Sequence, residues 1–439
     1  MVKRECAFGF NLKNLQMDQK FQRSSMKILI VSIYSDRDSV GIAKYTADMA
    51  EWFSQKGNDV EVIAAVPHYP EWKVHTPYKN WFFQELSRYK TYYVPTYIPN
   101  INNISTLRRL IYEASFGLAI IPILIKKSLK RENPDISILI YPSMPSVIIG
   151  YIYSKMNNVR SIIHVQDLQA AAADSLKMVK VRFLSGMLKK IESIILSKSD
   201  QVTTITPKMA ENIEKITNNS KKVLIVHNWA DIENIVPCKK PVSAFGLNNL
   251  DEQFNIMYAG SMGEKQGLHI ILEVAKILQR EPVKFIISGD GPYKNALIRG
   301  VIEQNLSNVA FLPRQDASEL SKLLSIADVH LIIQRKDATD LVMPSKLTNI
   351  AAAGRTVIAT ATPDSGLGNT VVKNALGIIS TPENPEDLAE KIIGLISDID
   401  RMSYYSKKSR EYAEQNLSIG SSLENLESII KKIVKGDLK

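Results

Sequence analysis

Short apolar strands alternate with helical stretches along nearly the whole chain, and this rhythm limits the fold more than any single motif. Candidate strands are Ile28–Ser32, Val60–Ala65, Ile136–Tyr141, Ser161–Val165, Val202–Ile205 and Val223–Val226. After the polar, proline-containing passage Asp231–Asn249 the rhythm restarts, with Ile256–Ala259, Val283–Ser288, Ala310–Leu312, Val329–Ile333, Val357–Thr360 and Gly377–Ser380. Apolar strands separated by helical patterns of roughly 10–15 residues imply parallel sheets covered on both faces. The expected fold class is therefore α/β, with two doubly wound Rossmann-like domains and a ligand cleft where the strand C-termini of both sheets face each other. A chain of 439 residues also exceeds one typical core. The division expected is a tail over 1–25, an N-terminal domain over 26–235, a C-terminal domain over 236–400 and closing helices over 401–439.

The net charge of +10 is unevenly placed. Met1–Ile235 carries 31 Lys and Arg against 21 Asp and Glu, whereas Val236–Lys439 carries 24 against 24. A basic half suits an anionic lipid surface or a phosphorylated substrate. Nucleic acid fits poorly, because zinc-finger spacing, an RNP-type aromatic signature and a basic recognition helix are all missing. Cys6 and Cys238 stand far apart without a CxxC spacing, which argues against a disulfide framework or a zinc site and fits the cytoplasm. The apolar run Leu110–Ile125 is shorter than the roughly 20 residues a span needs and contains Glu113 and Pro122. Flanked by Arg108, Arg109, Lys126 and Lys127, it reads either as a buried core helix or as a helix resting on an anionic membrane, which would make the protein peripheral on the inner face of the plasma membrane. Residues up to Ser25 lack the apolar core of a signal peptide and read as a loose tail or an upstream start.

Phosphate chemistry is written at several strand ends. In MPSKLTNIAAAGRTVIAT, Met343–Thr360, Pro344 suits a helix entry, Ser345 can cap it and Lys346 adds a cation beside the unpaired N–H groups of the first turn. Placed after the strand Val329–Ile333, that arrangement would hold a phosphate or diphosphate. Two glycine-containing turns end neighbouring strands. One is Gly260-Ser261-Met262-Gly263-Glu264-Lys265-Gln266-Gly267 and the other Gly289-Asp290-Gly291-Pro292. Neither is a full dinucleotide fingerprint, but together with the first they put three phosphate-compatible loops in one domain. In the N-terminal half, Gly41 and Lys44 lie in a turn entering a helix. The strand Ser161–Val165 points His164 and Gln166 to one face, with Asp167 at its C-terminal end. His227 and Asn228 end another strand, as a hinge or a cleft wall.

The ordered strings GIAKYT (Gly41–Thr46), VPHYPEWKV (Val66–Val74), HVQDLQAAAA (His164–Ala173), VHNWAD (Val226–Asp231), YAGSMGEKQGL (Tyr258–Leu268), SGDGP and MPSKLTNIAAAG resemble the family 4 glycosyltransferases of GT-B fold. More narrowly, the chain is similar to the colanic-acid and capsular-polysaccharide branch of the WcaI and WbuB type, from Met26 to the C-terminus. The resemblance implies a retaining sugar transferase that takes a UDP- or GDP-sugar donor, hexosyl or fucosyl, and needs no catalytic metal or other cofactor. It implies a polyprenyl-diphosphate-linked glycan acceptor in capsule, exopolysaccharide or O-antigen synthesis, and last helices around Tyr404–Lys435 that cross back onto the N-terminal domain.

Carried over by position, Ser345 and Lys346 would hold the donor diphosphate, with Gly260, Ser261 and Lys265 as the opposite wall. Gly289, Gly291 and Arg314 would lie near the nucleoside, Gly41 would let the N-terminal backbone reach the transferred sugar, and Lys44 at the cleft edge would join in donor binding. Asp167, His164 and Gln166 would form the catalytic group, with Asp167 orienting the acceptor or sugar. Two departures stand out. Ser261 and Gln266 occupy the places of the family's usual Arg and Lys, with Lys265 one place early; and Asn349 takes the second of the paired glutamates, with Asp340 nearest the first. A nucleotide-sugar epimerase of the same fold and a silent scaffold of a polysaccharide assembly complex are the alternative readings.

Overall fold

The computed structural model describes residues 25–38, 41–101, 105–167, 182–218, 220, 222–263, 266–336 and 346–436. The N-terminal sheet contains β1 (Lys27–Val31), β2 (Asp59–Ala65), β3 (Phe83–Leu86), β4 (Lys90–Val94), β5 (Ile136–Tyr141), β6 (Arg160–Val165), β7 (Gln201–Thr204) and β8 (Val223–Ile225), in the order β3-β4-β2-β1-β5-β6-β7-β8. All its pairs are parallel except β3 with β4. The second sheet holds β9 (Phe254–Ala259), β10 (Val283–Ser288), β11 (Val309–Leu312), β12 (Val329–Ile332), β13 (Thr356–Thr360) and β14 (Gly377–Ser380), all parallel, in the order β11-β10-β9-β12-β13-β14.

The cause is the apolar content of the strands. β5 and β13 are buried along their full length, as strands covered by helices on both faces must be. The β3–β4 hairpin is the addition that periodicity missed. β3 is half-exposed at the sheet edge, and it is held by Phe83 stacked on Tyr93 with ring centroids 4.5 Å apart.

In an open α/β sheet the ligand crevice opens where the strand order reverses, beyond the strand C-termini. Here that point lies between β1 and β5 in one sheet and between β9 and β12 in the other.

The closing helices divide differently from the expectation that everything from 401 returns to the N-terminal domain. Helix Ile399–Asn416 stays on the C-terminal domain, where Thr356 Oγ1 donates to Met402 O at 2.9 Å. Arg410 on that helix donates to the carbonyls of Ile235 and Ala352, at 2.9 and 2.7 Å, tying the interdomain passage to it. Only helix Ile419–Lys435 crosses back, burying Leu423, Leu426, Ile429, Ile430 and Ile433 in one cluster with Phe53, Ile28 and Trp229. Its apolar stripe is complete, whereas the preceding helix is polar over most of its surface, so the second has the burial to gain. The chain passes between domains at two adjacent places, joined by Ala230 N–H donating to Leu417 O at 2.9 Å.

Candidate active site

In the C-terminal domain the site is built on β9 and the helix Lys346–Ala352. Tyr258, next to last in β9, is buried, and its hydroxyl donates to Ser261 O at 2.6 Å. Lys346 Nζ reaches the same hydroxyl and lies 3.7 Å from the ring centroid, over its face. Burial pushes the Lys346 pKa down to about 7, with no charged neighbour contributing. The tyrosine face supports an ammonium but does not match its lost hydration. The outcome is a cation held ready for an anion, with no carboxylate neutralising it among the described residues.

The glycines around Lys346 are required by the chain's own packing. A Cβ at Gly260 would meet Lys346 Cε at 2.4 Å, so the absent side chain is the space the lysine occupies. At Gly289, with φ +136°, a Cβ would meet Gly260 O at 2.1 Å, and at Gly291, with φ +152°, Met262 O at 2.4 Å. Both loops are zipped by backbone bonds, Gly260 N–H to Ser288 O at 2.9 Å and Met262 N–H to Asp290 O at 2.8 Å. They form one rigid wall beside Lys346. Ser261 and Arg314 are exposed near it. Lys265, Asp340, Pro344 and Ser345 lie outside the described residues, as do 168–181 beyond Asp167.

Across the crevice, Gly41 opens the helix Gly41–Gln55 in an exposed turn, and Lys44 pairs with Asp48 at 3.8 Å. Tyr45 on this helix is buried against Trp229, with ring centroids 5.2 Å apart, and its hydroxyl faces Thr348. Burial raises the Tyr45 pKa to about 12, so it stays a neutral phenol at physiological pH. This proximity puts the Gly41 turn beside the helix that carries Lys346, one lobe against the other. Sequence reading passed over Tyr45 and Thr348, because a phenol one turn into a helix looks like an ordinary core residue.

At the C-terminal end of β6, His164 and Gln166 share a face as their alternation predicts, but they form a relay behind the crevice. Asn228 Nδ2 donates to Gln166 Oε1 at 3.0 Å, Gln166 Nε2 lies 2.8 Å from His164 Nε2, and His164 Nδ1 lies 2.9 Å from Thr203 Oγ1. Since the amide N–H must donate, His164 accepts at Nε2 and carries its proton on Nδ1. Burial lowers its pKa to about 4, keeping it neutral. Both ring nitrogens are engaged, so His164 fixes Gln166 and, in this geometry, has none left for a substrate. Asp167 is half-buried next in line, at the same edge as the β1 and β2 loops.

Residues 240–412 match the model of the glycosyl transferases group 1 family. The chain is 31% identical over 400 residues to the colanic acid biosynthesis glycosyl transferase WcaI of Escherichia coli (strain K12), covering 89% of this chain and 96% of that one. Its fold is similar to sucrose-phosphate synthase from Thermosynechococcus elongatus, at a TM-score of 0.72 and 17% identity over 93% of this chain and 99% of that one. It is also similar to HepE of Anabaena in complex with UDP, at 0.68 and 14% over 93% and 100%. The two opposed parallel-sheet domains are thus a GT-B fold, and the chain belongs to the group 1 glycosyl transferases, in the branch of the colanic-acid WcaI type.

Proposed function

We propose that the protein is a retaining glycosyltransferase that moves a hexosyl or fucosyl group from a UDP- or GDP-sugar to a polyprenyl-diphosphate-linked glycan, in the synthesis of a capsule, exopolysaccharide or O-antigen. The observation that carries this reading is Lys346: a largely desolvated cation at the β9/β12 switch point, stacked on Tyr258, on a helix whose Thr348 faces Tyr45 of the opposite lobe. Such a group, already aligned and partly stripped of water, stabilises charge as it develops on a departing diphosphate. The assignment needs no catalytic metal or other cofactor, because the lysine supplies the charge. HepE was solved with UDP bound, which supports a nucleotide-sugar donor.

In the proposed step the acceptor hydroxyl oxygen bonds to the anomeric carbon from the face the leaving group departs. The bond from that carbon to the β-phosphate oxygen breaks, and the acceptor proton passes to that oxygen. Asp167 orients the acceptor, held at the end of β6 by the strand pairing and by the Gln166–His164 relay. The donor sits between the Lys346 wall and the Gly41 turn.

The membrane side of the proposal rests on the helix Thr106–Lys130. No helix among the described residues is long and apolar enough to cross a membrane. This one buries Tyr112, Phe116, Ile120 and Leu124, yet its exposed positions include Leu107, Ile111, Ala114, Leu118, Pro122, Ile125 and Leu129. At 100° per residue these fall within an arc of roughly 80°. Leu118 is 64% exposed and Leu129 80%. With Arg108, Lys126 and Lys130 along one border of this arc, the face suits the interface of an anionic bilayer on the cytoplasmic side.

Incubation with UDP-, GDP- and dTDP-sugars and a lipid-diphosphate-linked acceptor, with NMR assignment of the new anomeric centre, tests the reading. Transfer with retained configuration supports it. Inversion, or a new donor epimer formed without acceptor, overturns it.

A further inference from the structure

The loops that end β1 and β2 assemble an aromatic cluster that the donor site does not use. Tyr34 follows β1, and Tyr69 and Trp72 follow β2. All three are half-buried at the edge where the N-terminal switch point opens. Behind them lie His68 and Tyr112, buried, with His68 Nε2 2.9 Å from the Tyr112 hydroxyl. Trp72 packs on Tyr69 and Tyr112 with ring centroids 5.8 and 5.3 Å apart.

A single carboxylate locks both loops. Asp38, whose side chain is wholly buried, accepts from Ser35 N–H and Oγ–H at 2.8 and 2.9 Å, and from His68 N–H and Tyr69 N–H at 2.8 and 2.6 Å. A buried carboxylate with four donors is a costly device for a surface loop unless the loop must keep its shape. What it holds in shape is a set of partly open rings.

Above the rings stands Arg109, exposed, with its guanidinium carbon 6.0 Å from the Trp72 ring centroid and no ion pair among the described residues. Arg109 lies on the first turns of Thr106–Lys130, on the side of the helix that carries Tyr112 and Phe116 and faces the rings, opposite the exposed apolar arc. Aromatic faces bind the C–H surface of a sugar, and an exposed guanidinium binds phosphate oxygens in bidentate fashion. The two are in contact here.

We propose that Tyr34, Tyr69, Trp72 and Arg109 form the acceptor cradle, in which a sugar of the acceptor packs on the rings while the anionic diphosphate next to it is held by Arg109. This rests on the lipid-linked acceptor proposed above, and adds which residues take it and which end of it they take. The acceptor then reaches the crevice from the membrane-facing helix, with the far end of its glycan toward Asp167.

The test is calorimetric binding of two ligands to the full chain: a short-chain isoprenyl-diphosphate sugar and the same sugar on a neutral alkyl aglycone. Arg109→Gln should weaken the diphosphate ligand about tenfold and leave the neutral one unchanged. Trp72→Ala should weaken both about tenfold, and Trp72→Phe, which keeps the packing on Tyr112, less. UDP-sugar binding should stay within about twofold in all three variants, which also reports that they fold. Unchanged affinity of Arg109→Gln for the diphosphate ligand, or equal losses for both ligands, would overturn the cradle. Transfer to the same ligand is measured alongside: Arg109-dependent binding without transfer supports the cradle and faults the acceptor assigned above.

Discussion

A lysine that is half deprotonated near neutral pH makes donor binding a proton-coupled event, and this gives a quantitative check on the site. Free Lys346 has its pKa lowered to about 7 by burial, from an ordinary 10.5. A bound diphosphate requires the ammonium, so the free enzyme must take up a proton wherever it is neutral. At pH 7 about half of the molecules are ready, and at pH 9 about one in a hundred, from the two-unit gap. The donor dissociation constant should therefore rise roughly 50-fold between pH 7 and pH 9, about 2.3 kcal/mol. An unperturbed lysine would change it by only a few per cent over the same range. Titration calorimetry with a UDP-sugar, whose phosphates do not titrate in this window, measures the constant. Repeating it in buffers of different ionisation enthalpy counts the protons taken up. Lys346→Met should bind weakly and show no such pH dependence. A flat wild-type profile from pH 7 to pH 9 would refute the desolvated-cation account.

The same linkage carries a sign for the unliganded protein. Because the unfolded chain holds the Lys346 proton between about pH 7 and its ordinary 10.5 while the folded chain does not, this group makes stability rise across that interval. Denaturant titration of wild type against Lys346→Met reads the difference, and a contribution falling with pH would contradict it. Asp38→Asn removes a charge that four donors address, for a cost of about 3 kcal/mol. A drop in melting temperature of roughly 6–12 °C is expected, and one under about 2 °C would show the clamp to be idle. Gly289→Ala should cost about 3 kcal/mol or more and abolish donor binding, because its Cβ would meet Gly260 O at 2.1 Å. Gly57→Ala, with open space around its Cβ, serves as the control and should cost far less. Leu118→Glu with Ile125→Glu should reduce flotation with phosphatidylglycerol vesicles roughly hundredfold, the loss expected from withdrawing about 3 kcal/mol of apolar burial. Equal flotation of the double variant would remove this face as the lipid contact.

The second domain was nearly all legible in the chain. Its strands are continuous apolar runs between helices, and each expected strand falls within two residues of its observed bounds at either end. The first domain was legible where its strands are buried on both faces and missed where one is not. β3, with the sequence FQEL, has no pattern of its own and owes its strand form to Tyr93 and its neighbours on β4. The last two helices were misdivided for a related reason, since which domain a helix covers depends on a partner face that local sequence does not name. Lys346 and the glycine turns stand out in the sequence through the chemistry of phosphate, and the fold brings them together. The reason for those glycines is not legible there. They admit neighbouring backbone and the lysine itself. His164 was found by alternation, but its role depends on a hydrogen bond to Thr203, 39 residues away. Tyr45, Thr348 and the Asp38 clamp all act through tertiary neighbours, which no spacing along the chain reveals.

The central claim is that the Lys346 ammonium holds the leaving diphosphate of a sugar nucleotide. It is tested most directly by single-turnover transfer with wild type and Lys346→Met, both saturated with donor and confirmed as folded. The account predicts that the variant loses sugar transfer by a factor of at least about 100 once binding is saturated, as expected for a group acting on charge formed in the transition state. Transfer at the wild-type rate would contradict it.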